Sequence, residues 1–220
     1  MLFRSIRIFS DTYEGWIDCK QHHAITPEYF EQINHANFKI TTDLTSGILY
    51  KKHPLTILMG SIVPLSNSEL FKMEEQFAFN GEAKSLGQKR EFEYLGGIAM
   101  KYLHAPYQWG GKSPFGIDCS GFTQMVYKIC GYQILRDAHQ QAKCGKEVLG
   151  FDQAMPGDLA YFHNESGNIV HVGIVLEDEK IIHASGKVKI DQLIEEGILD
   201  MESKIITHFL VGIRRIISLS

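Results

Sequence analysis

A glycine-rich loop runs into an amphipathic helix at residue 119, and no other feature constrains this chain as tightly. The loop reads Tyr107-Gln-Trp-Gly-Gly-Lys-Ser-Pro-Phe-Gly-Ile-Asp118. Beyond it, Phe122, Met125, Val126, Ile129 and Cys130 fall on one face of a helix that Gly131 ends. Such a helix must bury its stripe against another layer. Its first residue is Cys119, where the helix dipole and unpaired N–H groups favour a thiolate over a thiol. A thiolate is a nucleophile, so the junction reads as a catalytic cysteine.

The periodicities on either side of the junction differ. Residues 1–85 look β-rich, with short apolar or alternating runs at Ile6–Ile8, Gly15–Ile17, Phe38–Ile40, Ile48–Tyr50 and Thr56–Met59. Turn residues at Ser10-Asp11, Thr45-Ser-Gly47 and His53-Pro54 separate them, which predicts a small barrel or a pair of small β modules. The polar segment Asn80–Arg90 is the expected linker. From Phe92 the pattern turns helical through Tyr102, then come the Cys119 helix and a short helix over Ala138–Lys143. Strands follow at Asp158–Phe162, Val170–Leu176, Lys180–Ala184 and Phe209–Ile213. Helices followed by an antiparallel sheet predict an α+β domain over residues 86–220, preceded by the β region at 1–85.

Composition narrows the function classes. A net charge of −4, without a dense Lys/Arg tract, gives no nucleic-acid signature. No apolar stretch approaches the length of a membrane span. Arg4 and Arg7 interrupt the opening apolar run, which does not read as a signal peptide, and the expected setting is cytoplasmic. The four cysteines, Cys19, Cys119, Cys130 and Cys144, form no C-x-x-C pair and read as free thiols. No cofactor is expected.

A nucleophilic thiol needs a base, and the base needs an orienting group. His171 and His183 lie on consecutive strands joined by the polar turn Glu177-Asp-Glu-Lys180. An odd-residue hairpin loop sets the two directly opposite, or as diagonal neighbours, on one sheet face; an even loop sets them on opposite faces. A lone strand histidine is more often structural, and the other eight histidines read that way. A zinc site from Cys119, His171 and His183 is the lesser alternative, because no fourth ligand or paired-ligand spacing accompanies them.

The chain resembles the NlpC/P60 cysteine peptidases through five ordered motifs between about residues 90 and 215. These are Tyr107-Gln-Trp-Gly-Gly…Asp118-Cys-Ser-Gly-Phe122, Leu135-Arg-Asp137…Gln140-Gln141, Pro156-Gly-Asp-Leu159, His171-Val-Gly173 and Ile182-His-Ala-Ser-Gly186. The resemblance implies a papain-like α+β fold and cleavage of cell-wall peptides between γ-D-glutamate and a diamino acid. It implies Cys119 as nucleophile, His171 as general base, His183 as orienter and Tyr107 as a hydroxyl donor to the oxyanion.

Asp11-Thr-Tyr13-Glu-Gly15-Trp16 resembles the Tyr-x-Gly-Trp element of bacterial SH3-like domains fused to this peptidase. In the subgroup acting on free muropeptides, the resemblance implies that Tyr13, Asp118, Ser120 and Asp137 hold the substrate's N-terminal L-alanine amine. Only twelve residues precede Tyr13, so the first barrel is expected to lack strands, and Thr26–Leu65 suggests a second SH3-like module. The implied activity is hydrolysis of the γ-D-glutamyl–diamino acid bond of free murein peptides, in cell-wall peptide recycling. The alternatives are a hydrolase of intact wall, a non-catalytic wall-binding protein, and acyl transfer on a related papain-like fold.

Overall fold

A computed structural model describes residues 2–35, 37–50, 53–63 and 77–217. The chain divides into two compact units, Met1–Leu86 and Gly87–Ser220.

The first unit opens with an antiparallel hairpin of β1 (Phe3–Arg7) and β2 (Glu14–Asp18). Its tip is closed by Ile8 N–H donating to the Tyr13 carbonyl at 2.8 Å, with Thr12 in the left-handed region at φ 58°. Trp16, on β2, is 74% exposed, and so is not a core residue. A helix, α1 (Pro27–Asn34), stands where the run of short strands predicts only β structure. Its start is legible in hindsight. Thr26 Oγ1 accepts from the Tyr29 N–H at 3.2 Å, and Pro27 takes the first turn, where its missing N–H costs nothing.

Two three-stranded antiparallel sheets complete the unit. One has the order β6 (Ile62–Val63), β3 (Lys39–Thr41), β8 (Ala83–Ser85); the other runs β5 (His53–Leu58), β4 (Thr45–Tyr50), β7 (Phe77–Asn80). Among the described residues, Ile40, Met59 and Val63 are its buried apolar side chains. The expected linker Asn80–Arg90 is therefore corrected. Its residues 83–85 are a strand paired with β3, and only the stretch after it connects the units. Polar composition misled there because Lys84 is buried in the strand, its ammonium donating to the Ser85 carbonyl at 3.2 Å. The proposed end of a second module at Leu65 falls outside the described residues.

The second unit packs helices on a closed sheet. Its elements are α2 (Phe92–Lys101), the short hairpin β9 (Lys112–Ser113) and β10 (Gly116–Ile117), α3 (Cys119–Ile129) and α4 (Ala138–Gln141). The strands β11 (Lys146–Val148), β12 (Leu159–His163), β13 (Ile169–Val175), β14 (Lys180–Ser185), β15 (Lys187–Ile194), β16 (Gly197–Leu199) and β17 (Ile206–Arg215) follow. The sheet order is β11-β17-β12-β13-β14-β15-β16, and β17 also pairs with β16. That second pairing closes six strands into a barrel, with β11 continuing the same edge of β17. Closure removes the free edges an open sheet would present. Ala160, Phe162, Val175, Ile181, Leu193, Ile198 and Ile213 form one buried cluster, and by register they share the inner face. β11, β15 and β16 go beyond the four strands read from the sequence.

The helix α3 is not the one-sided surface helix that its apolar stripe suggests. Every residue from Cys119 to Tyr127 is buried, as is Ile129. Its polar residues are carried inside by partners. Thr123 Oγ1 donates to Gln141 Oε1 at 2.8 Å, Gln141 Nε2 donates to the Ser120 and Leu135 carbonyls, and Gln124 Nε2 to the Ile134 carbonyl. Buried polar groups are tolerated when each has a partner. At the far end, Asp158 takes a two-bond clamp from Arg215 at 2.8 and 2.7 Å and accepts from the Met155 N–H, which fixes the turn entering β12.

Candidate active site

Asp118 builds the loop that presents Cys119. It is the N-cap of α3: its Oδ1 accepts from Gly121 N–H at 2.6 Å and its Oδ2 from Gly110 N–H at 2.8 Å. Arg136 grips the same carboxylate with Nη1 at 3.0 Å and Nη2 at 2.6 Å, and also donates to Ser120 Oγ at 2.9 Å. Burial alone would raise the Asp118 carboxyl, but Arg136 and the two N–H donors outweigh it and hold it below the usual range. Asp118 and Ser120 are thus occupied within the loop. Arg136, named in the sequence only as a neighbour of Asp137, is what carries their charge. Gly121 is required for a steric reason, since a Cβ there would meet the Gly111 carbonyl oxygen at 2.4 Å.

Cys119 is buried, and its Sγ lies 3.8 Å from the Val170 carbonyl, immediately before His171 on β13. Backbone N–H groups of Val172, Ser120 and Cys119 itself favour the thiolate. Burial and the nearby Asp118 charge overcome them and push the thiol up to about 11. The expectation that the helix end alone makes a thiolate is corrected: desolvation outweighs a dipole worth roughly 0.3–1 kcal/mol. A base must take the proton.

The hairpin of β13 and β14 brings two imidazoles together beside the thiol's strand. Gly173 pairs with His183, Ile174 with Ile182 and Val175 with Ile181, so His171 and His183 are diagonal neighbours on one face. The loop is the odd-length kind, with Asp178 and Glu179 in the left-handed region. His171 Nε2 and His183 Nδ1 are 2.8 Å apart. Gly173 sits opposite His183 because a Cβ there would lie 3.0 Å from His183 Cβ and 2.7 Å from Ile181 Cδ1. That is why the motif reads His-Val-Gly.

Two further groups were missed from the sequence. His183 Nε2 lies 3.0 Å from Asp191 Oδ2, and the His208 ring stacks on His171 with centroids 4.1 Å apart and 27° between planes. Asp191 could have been found. Pairing β14 with β15 about Gly186 sets Lys189 opposite His183 and Asp191 diagonal to it. His208 had no such signal, because barrel closure alone brings β17 to this place.

Burial, His183 and His208 hold His171 well below its ordinary value. Burial also lowers His183, against the pull of Asp191, and takes His208 down to about 4. Asp191 is held at about 2; burial works upward, and the hydrogen bonds from His183, Met201 N–H and Lys189 prevail. At neutral pH the resting site therefore holds neutral imidazoles beside a thiol.

A stability consequence follows. Folded-state values below 6.5 mean that the unfolded chain binds more protons as pH falls. The stabilisation these three histidines contribute is present above pH 6.5 and lost toward about pH 4, by at most ~1.4 kcal/mol per pH unit per group. Asp191 acts only below pH 3.8, outside that window. Thermal melts of the protein should show Tm level between pH 7.5 and about 6.5 and falling from there to pH 5.0; no fall below pH 6.5 would contradict buried neutral imidazoles.

Tyr107 lies at the mouth of the same loop, 36% exposed, with its N–H donating to the Gly186 carbonyl at 3.0 Å. Burial first, then the charges of Cys119 and Asp118, raise its phenol. Asp137 is half-buried at the start of α4, its N–H donating to Gln140 Oε1 at 3.1 Å. Tyr13 belongs to the first unit, 40% exposed at the hairpin tip, with its N–H donating to Asp11 Oδ1 at 3.2 Å. Among the described residues no group of three or more His, Cys, Asp or Glu is arranged to hold a metal ion.

The model of the NlpC/P60 family matches residues 104–215, a span containing Tyr107, Cys119, His171, His183 and Asp191. The chain belongs to the NlpC/P60 family. It is 32% identical over 184 residues to the gamma-D-glutamyl-L-lysine dipeptidyl-peptidase of Bacillus subtilis, covering 78% of this chain and 60% of that protein's length. It is 29% identical to dipeptidyl-peptidase 6 of Lysinibacillus sphaericus, covering 86% of this chain and 71% of that protein. Among solved structures, an NlpC/P60 family protein from Bacillus cereus matches with a TM-score of 0.74 at 25% identity, over 92% of this chain and 70% of that one. Membership supports a mixed α/β fold of the NlpC/P60 peptidase family, and the chain spans 60% of the length of the Bacillus subtilis relative. No helix among the described residues is long and apolar enough to cross a membrane.

Proposed function

We propose that this NlpC/P60 protein is a cysteine peptidase that hydrolyses the γ-D-glutamyl–diamino acid bond of free murein peptides with an unblocked N-terminal L-alanine. The observation that carries the chemistry is the placing of the Cys119 thiol against the β13 backbone at His171, with His171 joined to His183. His171 takes the thiol proton as Sγ attacks the γ-carbonyl carbon. The tetrahedral oxyanion is received by the Cys119 N–H and the Tyr107 hydroxyl. His171 then returns the proton to the departing amine, and the thioester is cleared by water that His171 deprotonates.

The finer specificity rests on the relatives, two of which are named as dipeptidyl-peptidases. In this reading Asp137 faces the substrate's ammonium, while Asp118 and Ser120, gripped by Arg136, shape the wall beside it. The Tyr-x-Gly-Trp element supports an SH3-like first unit, and a preference for free peptides supports a recycling role in the cytoplasm.

The test compares L-Ala-γ-D-Glu-L-Lys and its meso-diaminopimelate counterpart with their N-acetylated forms and with intact sacculi, by mass spectrometry of products under reducing conditions. Release of L-Ala-γ-D-Glu is expected from both free tripeptides. Acetylation should cost at least ~30-fold in kcat/KM, since it removes a charged contact. Equal cleavage of the acetylated peptides, or preferential attack on sacculi, would favour a wall hydrolase instead.

A further inference from the structure

We propose that Asp191 is a positioning residue for the peptidase chemistry: acting through His183, it fixes which nitrogen of His171 carries the proton. The inference rests on His171 being the base of the preceding section.

Donors and acceptors alternate in a fixed order along three strands. Asp191 is an ionised carboxylate and can only accept. It already takes Met201 N–H on Oδ1 at 2.9 Å and Lys189 Nζ on Oδ2 at 2.9 Å, and Lys189 is tied on its other side to Asp200. His183 Nε2, 3.0 Å from Asp191 Oδ2, must therefore be the protonated nitrogen. A neutral imidazole has one N–H, so His183 Nδ1 is an acceptor. The atom facing it at 2.8 Å, His171 Nε2, must then donate. That leaves Nδ1 of His171 with a free lone pair, and it is the nitrogen available to the Cys119 thiol.

One carboxylate thus propagates its sign through two rings. His183 alone could hold the His171 ring, but a neutral histidine can equally donate or accept, and without Asp191 nothing selects between the two chains of hydrogen bonds. Asp191 also places negative charge behind the relay, which stabilises the imidazolium that forms on His171 during attack. The charged and titratable groups around the relay are Lys189, Asp200, His208 and Asp191 itself. His208 stacks on His171 and contacts His183 edge-on, closing the ring in from β17.

Asp191→Asn separates this role from packing. It is isosteric, yet it can present an amide N–H to His183 Nε2. The proton would then move to His183 Nδ1, His183 would donate to His171 Nε2, and His171 Nδ1 would carry the proton and lose its basicity toward the thiol. Two-dimensional ¹⁵N–¹H correlation spectra of the histidine side chains in the substrate-free protein at pH 7.5 report the tautomers directly. Wild type should show His171 and His183 both as the Nε2–H form, and Asp191→Asn should convert at least part of the population to Nδ1–H.

In steady-state assays on the tripeptide, kcat should fall by roughly 10²–10⁴ with KM within about threefold, by comparison with carboxylate-to-amide changes in triads. Asp191→Glu should recover part of kcat and the wild-type tautomers. A wild-type spectrum with His171 as Nδ1–H would overturn the proposal, as would Asp191→Asn leaving the tautomers unchanged. The spectra do not depend on substrate, so a protein inactive on the tripeptide would sink the functional reading while leaving the relay testable. Equal losses of Tm and activity in Asp191→Asn and Asp191→Glu, with wild-type tautomers in both, would mark Asp191 as structural only and also overturn it.

Discussion

Cys119→Ala should lower kcat on the free tripeptide by roughly 10⁴–10⁶-fold, the scale of removing a nucleophile from a triad whose members act as a unit. The change itself is mild for the fold. The side chain is small and buried, and alanine is the best helix former for the start of α3. The variant's melting temperature should stay within a few degrees of wild type, so loss of activity can be assigned to loss of the thiol. His171→Ala in the same background should add almost nothing further, because a base without a nucleophile has no proton to take. Product formation by mass spectrometry over hours gives the needed range. More than about one hundredth of wild-type turnover in Cys119→Ala would remove this cysteine from the mechanism.

The largest expected effect on stability comes from Arg136→Ala. The side chains of Arg136 and Asp118 are 10% and 8% exposed and joined by two hydrogen bonds. Deleting the guanidinium leaves a carboxylate in a dry loop, which costs about 3–5 kcal/mol. For a unit of this size that amounts to a fall in Tm of about 10 °C or more. The bonds from Gly110 and Gly121 to Asp118 remain and limit the loss. Pairing Arg136→Ala with Asp118→Asn should recover part of the stability, because the second change removes the orphaned charge. Arg136→Lys should fall between, as one ammonium cannot reproduce a planar fork. Differential scanning calorimetry of the four proteins would decide it, and a loss under 1 kcal/mol in Arg136→Ala would show the pair to be incidental.

These two residues differ in how visible they were. Cys119 announces itself through local geometry: a glycine-rich loop, then helical periodicity, with the cysteine at the seam. His171 and His183 are also local, since a hairpin relates them and one parity argument tells which face each takes. Arg136 sits one residue from Asp137 in the sequence, yet its partner lies 18 residues back, across the whole of α3. Charge and spacing do not foretell that meeting.

The errors have equally physical causes. Polar composition over Asn80–Arg90 suggested a linker, but in β8 Lys84 is buried with its ammonium on a backbone carbonyl. The apolar stripe of α3 suggested a surface helix, but Thr123, Gln124 and Ser120 are buried with partners supplied by Arg136, Gln141 and the chain near Ile134. Periodicity reports which residues dislike water and is silent about polar residues whose bonds are satisfied indoors.

By itself the sequence singled out Cys119, His171 and His183 and the order of helices before strands, because each depends on neighbours within a turn or a hairpin. Only the tertiary structure decided the protonation of the site. Burial cancels the helix dipole at Cys119, the third strand brings Asp191 behind His183, and closure of the barrel lays His208 on His171. Desolvation and charge pairing act between segments distant in the chain, and their sum exists only once those segments are packed.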